Sequence, residues 1–315
     1  MPPPQSSFPP LGAPAETKIA ASLEITPCLP ISFGSHPALL SRSSARIIQI
    51  PLTPVRHFVH QPPALLRPYV REILWVKSSQ ARRQLLLPET AMTLVLRQAG
   101  AVSMRDQRLP HAVISGLQRE ARVAEHSADS SVIVVRFTEI GATAILHDRA
   151  DLLFGRTLPL DTFVPRQTLE RMQNQLADAR RLFTQVAILE NFLLERLRPQ
   201  SAAPLPVQAA IHMICNAAGR LSIAEVARRS AMSQSVLERH VRAFAGASPK
   251  MLARLARLQH VCRLWDAGKS LTRIAADAGF TDQSHFVRDF QAFTGSAPRA
   301  FFHNHSPRNL PTFYK

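Results

Sequence analysis

The stretch SIAEVARRSAMSQSVLERHVRAFAGASP, residues 222–249, is followed at residues 270–298 by a second version of itself, SLTRIAADAGFTDQSHFVRDFQAFTGSAP. The two versions align over their whole length, with one extra residue in the second. The matched pairs are Ser222 with Ser270, Ala227 with Ala275, Met232 with Phe280, Arg239 with Arg288, Gly246 with Gly295 and Pro249 with Pro298. A repeat of this length indicates that one small structural unit is present twice.

Each copy predicts a helix, a tight turn and a second helix. Ser222 begins an S-x-x-E capping box with Glu225, and Ser270 can cap the matching helix of the second copy. We expect equivalent residues to begin and end the second helix of each copy: Ser233 and Thr281 at its start, and Gly246 and Gly295 at its end. The repeated unit is therefore predicted to be a helix-turn-helix module.

The segment between the two copies, PKMLARLARLQHVCRLWDAG, predicts one long helix that begins at Pro249 and ends at Gly268. One apolar stripe runs along this helix and consists of Leu255, Leu258, Cys262 and Trp265. Because Cys262 lies in the stripe, we expect its thiol to be in the core. About 18 helical residues give a rod of about 27 Å, and successive major grooves of DNA are about 34 Å apart. We therefore expect this helix to set the two modules into adjacent major grooves.

The C-terminal region, from about 207 to 302, resembles the AraC/XylS family of bacterial transcription regulators. The resemblance is carried by LSIAEVA, SQSVLERHV, GASP and LTRIAADAGFTDQSHFVRDFQAFTGSAP, in that order. It implies a sequence-specific regulator with double-stranded DNA and RNA polymerase as partners. Val241 stands where the family usually carries Phe, which implies a looser first module.

The region from about 55 to 197 more loosely resembles the cupin-like sensor half of some of these regulators. The matching stretches are LLLPET, SVIVVRF and DLLFGRTLPL. The resemblance leaves two roles open, the binding of a small-molecule effector and the formation of a homodimer. In either case it implies no cofactor.

The order of patterns predicts an α+β chain, with a β-rich, cupin-like N-terminal domain followed by an all-α double helix-turn-helix domain. Short apolar runs with period-2 features fill residues 55–163 and favour a β-sandwich or small barrel. A helix with one apolar face follows within about 166–198, and this face either packs on its own domain or forms a dimer interface. The predicted boundaries are a Pro/Ser-rich disordered extension 1–54, a sensor or dimerisation domain 55–198, a linker 199–206, the DNA-binding domain 207–302 and a tail 303–315.

The exposed early and middle positions of each second helix are the candidates for contact with base edges. In the first copy these are Gln234, Ser235, Glu238 and Arg239; in the second they are Asp282, Gln283, Ser284, His285 and Arg288. For Arg239 and Arg288 a phosphate contact or an internal ion pair is the alternative, and for Glu238 and Asp282 it is a solvated or capping carboxylate. Other basic residues are expected to contact phosphates or water: Arg242, Lys250, Arg254, Arg257 and Arg273.

The net charge of +16 is concentrated towards the C-terminus, where residues 205–315 hold 15 Lys and Arg against 6 Asp and Glu. Such a basic region suits a polyanion. No run of about 18 apolar residues exists to span a bilayer, so we expect a cytoplasmic protein without a membrane partner. Three cysteines without CxxC spacing, and histidines in HFVH and HNH without ligand partners, predict neither a structural zinc site nor another metal site.

No catalytic motif such as GxSxG or a Walker loop occurs, so we expect no enzyme activity. One alternative function from another class is a DNA alkyl-transfer enzyme fused to the DNA-binding domain. Its only upstream nucleophile would be Cys28, which lies in the Pro-rich extension. The other rival is an architectural DNA-binding protein without sequence preference.

Overall fold

The computed structural model describes residues 55–265 and 270–304. The predictions for the Pro/Ser-rich extension, Cys28, Gly268 and the last histidine of HNH lie outside these residues. The described chain has a β-rich N-terminal region followed by a helical C-terminal region, which confirms the predicted fold class.

Ten strands form two antiparallel sheets in the N-terminal region. The strands are β1 Val55–His60, β2 Val70–Ser78, β3 Arg82–Leu86, β4 Thr93–Ala99, β5 Val102–Met104, β6 Gln107–Arg108, β7 Ala112–Ser115, β8 Arg122–His126, β9 Ser130–Phe137 and β10 Thr157–Pro159. One sheet has the order β1-β2-β9-β4-β7-β10, and the other has the order β3-β8-β5-β6. Because residues from both sheets line one cavity, the sheets face each other.

Strand β8 was missed by the sequence prediction. It pairs with β3 in a register that sets Arg82 opposite His126 and Leu86 opposite Arg122. Arg122, Ala124 and His126 share the inner face, since alternate residues of a strand point the same way. Two of these three residues are polar, so the strand lacks the apolar inner face that marks a strand in the sequence.

Three helices complete the N-terminal region: α1 Gly141–Leu146, α2 Arg166–Asp178 and α3 Leu182–Arg196. The helix predicted within 166–198 is α3, and a separate helix, α2, precedes it because the chain is extended at Ala179 and Arg181. The apolar face of α3 packs on its own domain: Leu189 and Leu193 are fully buried. Two polar contacts hold the same helix, from Trp75 Nε1 to Gln185 Oε1 at 3.1 Å and from His60 Nε2 to Glu190 Oε1 at 2.6 Å.

Seven helices form the C-terminal region: α4 Leu205–Asn216, α5 Ile223–Arg229, α6 Gln234–Ala245, α7 Pro249–Leu264, α8 Leu271–Asp277, α9 Gln283–Thr294 and α10 Pro298–Asn304. The last two residues of the predicted linker, 205 and 206, belong to α4. Helices α5 and α6 are the first predicted module, and α8 and α9 are the second. Ala227 and Ala275 are buried where the paired helices meet, as expected.

The linking helix α7 is shorter than predicted. It ends at Leu264, and the next residue, Trp265, has an extended backbone and stacks on Phe302 with 4.6 Å between ring centroids. Its 16 residues give a rod of about 24 Å. Cys262 is buried as predicted, and burial raises the pKa of its thiol to about 12.

Candidate nucleic-acid interface and its contacts with the sheet domain

The second helix of each module begins at a side-chain cap. Ser233 Oγ accepts a hydrogen bond from the Val236 amide at 3.3 Å, as predicted for the first copy. In the second copy the prediction of Thr281 was wrong, because Asp282 Oδ1 accepts the bond from the His285 amide at 2.7 Å. The extra residue of the second copy therefore lies in the turn, and α9 starts one position later than the alignment implies.

Both second helices end at glycines with left-handed backbone. Gly246 has φ +85° and Gly295 has φ +74°, and the amide of each donates back into the last helical turn. A residue with a side chain is strained in this conformation. The second helices of the two modules thus end at the same kind of residue and begin with the same kind of side-chain cap.

Most of the predicted base-contacting residues lie exposed on α6 and α9. In α6 and its last turn, Gln234, Ser235, Arg239 and Arg242 are exposed, whereas Glu238 is partly buried. On α9, Gln283, Ser284 and Arg288 are exposed, and His285 is partly buried. None of the ion pairs among the described residues includes Arg239 or Arg288.

The two candidate carboxylates already have partners within the protein. Glu238 Oε1 lies 2.6 Å from Arg242 Nη2, one helical turn away. Asp282 accepts the capping bond from the His285 amide, and this bond lowers the pKa of its carboxyl. In this structure both carboxylates therefore take part in contacts that stabilise their own helices.

Arg254 and Arg257, which we expected to contact phosphates, instead hold α7 to the second module. The Arg254 guanidinium pairs with Asp289 at 2.5 Å and lies 4.8 Å from the centroid of the Phe293 ring. The Arg257 guanidinium lies 4.9 Å from the centroid of the Phe280 ring. Both half-buried cations therefore make structural contacts within the C-terminal region.

Successive side chains of the segment between β3 and β4, residues 87–92, point to opposite sides. Thr90 Oγ1 donates to Glu139 Oε1 at 2.9 Å and lies 3.3 Å from Gln259 Oε1 of α7. Met92 lies against the end of α6, since a Cβ added at Gly246 would meet its Cε at 2.9 Å. The other side of the segment lines the cavity between the sheets through Leu87, Glu89 and Ala91. We call residues 87–92 the coupling segment, because it contacts the cavity on one side and the helices α6 and α7 on the other. The stretch LLLPET was part of the family resemblance, but neither periodicity nor a motif predicted these contacts.

Two further contacts join the sheet domain to the modules. A short 3-10 turn, Ala150–Leu153, packs against α6 of the first module. The amide of Ala121, just before β8, donates to the carbonyl of Phe293 in α9 at 2.6 Å. The sheet domain therefore touches both modules.

The cavity between the two sheets has a volume of about 150 Å³ and a mostly apolar lining. Its polar lining includes Arg122 near one end of β8 and His126, with Arg82 opposite, at the other end. Burial lowers the pKa of His57 to about 4 and that of His126 to about 3, with a smaller contribution from Arg82. Both imidazoles are therefore neutral at neutral pH.

Within residues 55–265 and 270–304, no cluster of three or more His, Cys, Asp or Glu side chains could hold a metal ion. His57 and His60 of the HFVH stretch point to opposite faces of β1, because three positions separate them. Cys215 is enclosed, and burial raises the pKa of its thiol. In the same part of the chain, no helix is long and apolar enough to cross a membrane.

Comparison with known proteins identifies the C-terminal region. A family model described as a helix-turn-helix domain matches residues 226–304. No curated protein matches the chain. Among solved structures, the chain is similar to ToxT from Vibrio cholerae, at 11% identity and a TM-score of 0.43, over 81% of this chain and 100% of that chain.

Two shorter structures are similar to part of the chain. One is the C-terminal domain of AraT, a response regulator from Geobacillus stearothermophilus, at 21% identity and a TM-score of 0.31, over 33% of this chain and 88% of that chain. The other is a DNA-binding transcriptional dual regulator from Escherichia coli K-12, at 24% identity and a TM-score of 0.29, over 32% of this chain and 97% of that chain. The comparisons therefore show a helix-turn-helix domain over residues 226–304, a range that includes both α6 and α9.

Proposed function

We propose that this protein is a sequence-specific transcription regulator that reads two adjacent major grooves with α6 and α9. The observation that carries the proposal is the duplication itself. Helices α6 and α9 each begin at a side-chain cap and end at a left-handed glycine. Their first residues are exposed, and a helix of 16 residues joins the two modules. A single binding helix would not require the second copy.

The proposed base contacts are made by the exposed polar residues of the two helices. Among the described residues, neither Arg239 nor Arg288 takes part in an ion pair, and the one hydrogen bond of Arg288 is a long one from its Nε to the Ser284 carbonyl. Their guanidinium groups therefore remain available for guanine O6 and N7. Gln234 and Gln283 are suited to adenine, and Ser235, Ser284 and His285 lie beside them. Arg242 and Lys250 are proposed to contact phosphates, while Glu238 and Asp282 position the helices.

Selection of binding sites from randomised duplex DNA by the full-length protein tests this proposal. We expect an enriched site with two specified segments about 10 base pairs apart, centre to centre. Affinity should fall steeply with salt, with a log–log slope of about −0.9 for each neutralised phosphate. Binding without any enriched sequence would instead support the architectural role.

We further propose that the sheet domain is a sensor that regulates DNA binding in the cytoplasm, with RNA polymerase as the partner at the promoter. The coupling segment supports this role because it contacts the cavity on one side and both α7 and the end of α6 on the other. A ligand that moves this segment would change how the modules are held. Self-association through the same domain is a separate role, tested by measuring the molar mass of the protein in solution.

A further inference from the structure

Arg122 is a cation inside the sheet domain whose hydrogen-bond partners are neutral. Its Nη1 donates to Thr157 Oγ1 at 2.8 Å, and its Nη2 donates to Ser115 Oγ at 2.9 Å. Its Nε is buried and has no hydrogen-bond partner. None of the ion pairs among residues 55–265 and 270–304 includes Arg122.

The carboxylate of Glu89 also lines this cavity, but it is paired with Arg136 and not with Arg122. Glu89 Oε2 is bonded to Arg136 Nη2 at 2.8 Å, and Glu72 holds the other end of the same guanidinium at 2.6 Å. Burial, and then the nearby charge of Arg105, lowers the pKa of Arg122 to about 10, so its guanidinium is still charged at neutral pH. Glu120 acts favourably on the Arg122 charge but forms its ion pair with Arg105. A largely enclosed cation without a directly bonded carboxylate is costly, and an anion bound in the cavity would relieve that cost.

We propose that the cavity binds a small monocarboxylic acid, with the carboxylate on the Arg122 guanidinium and the apolar body lying along Ala124 between the two sheets. This proposal rests on the proposed sensor role and gives it a class of ligand. A guanidinium presents paired N–H donors that match the two oxygens of a carboxylate. The apolar body matches the lining contributed by Val95, Val113 and Val134.

The opposite end of the cavity favours one carboxylate over two. Arg122 and His126 are four positions apart on β8, which is about 13 Å of strand. The two histidines at that end are neutral, and Arg82 is too far from Arg122 for the second carboxylate of a six-carbon diacid to reach it while the first binds Arg122. That second carboxylate would therefore lie among apolar side chains, which is unfavourable. A volume of about 150 Å³ is comparable to engineered cavities that hold benzene, so the body of the acid has about six carbon atoms.

Calorimetric titration of the full-length protein with three matched probes tests the proposal. Hexanoate is expected to bind, whereas hexanamide, which has the same body without the charge, is expected to bind at least tenfold more weakly. Adipate carries a second carboxylate and is also expected to bind more weakly than hexanoate. Equal binding of hexanoate and hexanamide would overturn the role of the cation, and tighter binding of adipate would overturn the choice of a monoacid.

Variants of the full-length protein test whether hexanoate binds in this cavity. Arg122→Met should reduce hexanoate affinity at least tenfold, while its thermal stability without ligand stays equal to or above that of the wild type, because a buried charge has been removed. Ala124→Leu should also abolish binding by filling the cavity. Arg83→Gln removes an exposed arginine from β3 that pairs with Glu125, and it should bind hexanoate like the wild type. Wild-type affinity in both cavity variants would overturn the proposed site.

The same preparations separate this inference from the proposed function. Each variant is also tested for binding to the DNA site selected by the wild type. If DNA is bound but no acid binds, the ligand class is wrong and the regulator role stands. If neither DNA nor acid binds to a folded wild-type protein, both proposals fail.

Discussion

At the scale of single residues, four arginines of the C-terminal region form two contrasting pairs. Arg254 and Arg257 are used internally, against Asp289 and against aromatic rings. Arg239 and Arg288 lie exposed at equivalent places on α6 and α9. Sequence position alone does not separate these groups, because all four stand on helices with one polar face.

Replacing each exposed arginine should affect one base position. Arg288→Ala is expected to cost about 1–3 kcal/mol of binding free energy at the preferred site and to relax preference at one base pair. Arg239→Ala should act about ten base pairs away, with a smaller loss if the first module is looser. Site selection with each variant measures both effects, and Arg166→Ala, an exposed change in α2, is the control. A uniform loss over all sequences would assign these arginines to phosphates.

The buried imidazoles predict a loss of stability in acid. His57 and His126 stay neutral in the fold down to a pH of about 4, whereas the unfolded chain binds protons near pH 6.5. The unfolded state therefore holds more protons below pH 6.5, and the free energy of unfolding falls as the pH drops towards 4. The loss at pH 4.5 is on the order of 2 kcal/mol for each imidazole.

Urea unfolding at pH 7 and pH 4.5 measures this effect. The double variant His57→Gln with His126→Gln should lose less stability between the two pH values than the wild type. His111→Gln, a change at an exposed histidine, should behave like the wild type. An equal acid loss in the wild type and the double variant would show that these imidazoles are not the cause.

At the scale of elements, the start of α9 has a directly testable position. Asp282→Ala removes the side chain that accepts from the His285 amide, and it should lower the melting temperature by a few degrees through loss of the cap. Thr281→Ala changes the neighbouring residue, which we had expected from the sequence to be the cap, and should have a smaller effect. A larger effect of Thr281→Ala would restore the original assignment.

The helix-turn-helix elements were predictable because their signals are local. Ser222, Ser233, Gly246 and Gly295 each act within one turn of chain, so their roles follow from the residue type and its neighbours. The inner face of β8 was not predictable, because its polar residues face a cavity rather than a packed core. The contact of Thr90 with Gln259 spans 169 positions, and no local pattern encodes such a pairing.

At the scale of the whole molecule, the sheet domain and the modules are expected to respond to each other. If hexanoate binds in the cavity, it should change the affinity for DNA, and DNA should change the affinity for hexanoate by the same factor. Gln259→Leu removes the polar contact of Thr90 with α7 and keeps the Thr90 bond to Glu139 and the lining of the cavity. This variant should still bind hexanoate but show a smaller change in DNA affinity, as measured by titration with labelled DNA. An undiminished change would place the coupling in other contacts.

The central claim is that one molecule reads two adjacent major grooves with its two modules. Hydroxyl-radical footprinting of the full-length protein on its selected DNA site tests this claim most directly. The account predicts two protected segments about one helical turn apart on the same face of the duplex, with Arg239→Ala weakening one segment and Arg288→Ala the other. A single protected segment, or two segments on opposite faces, would contradict it.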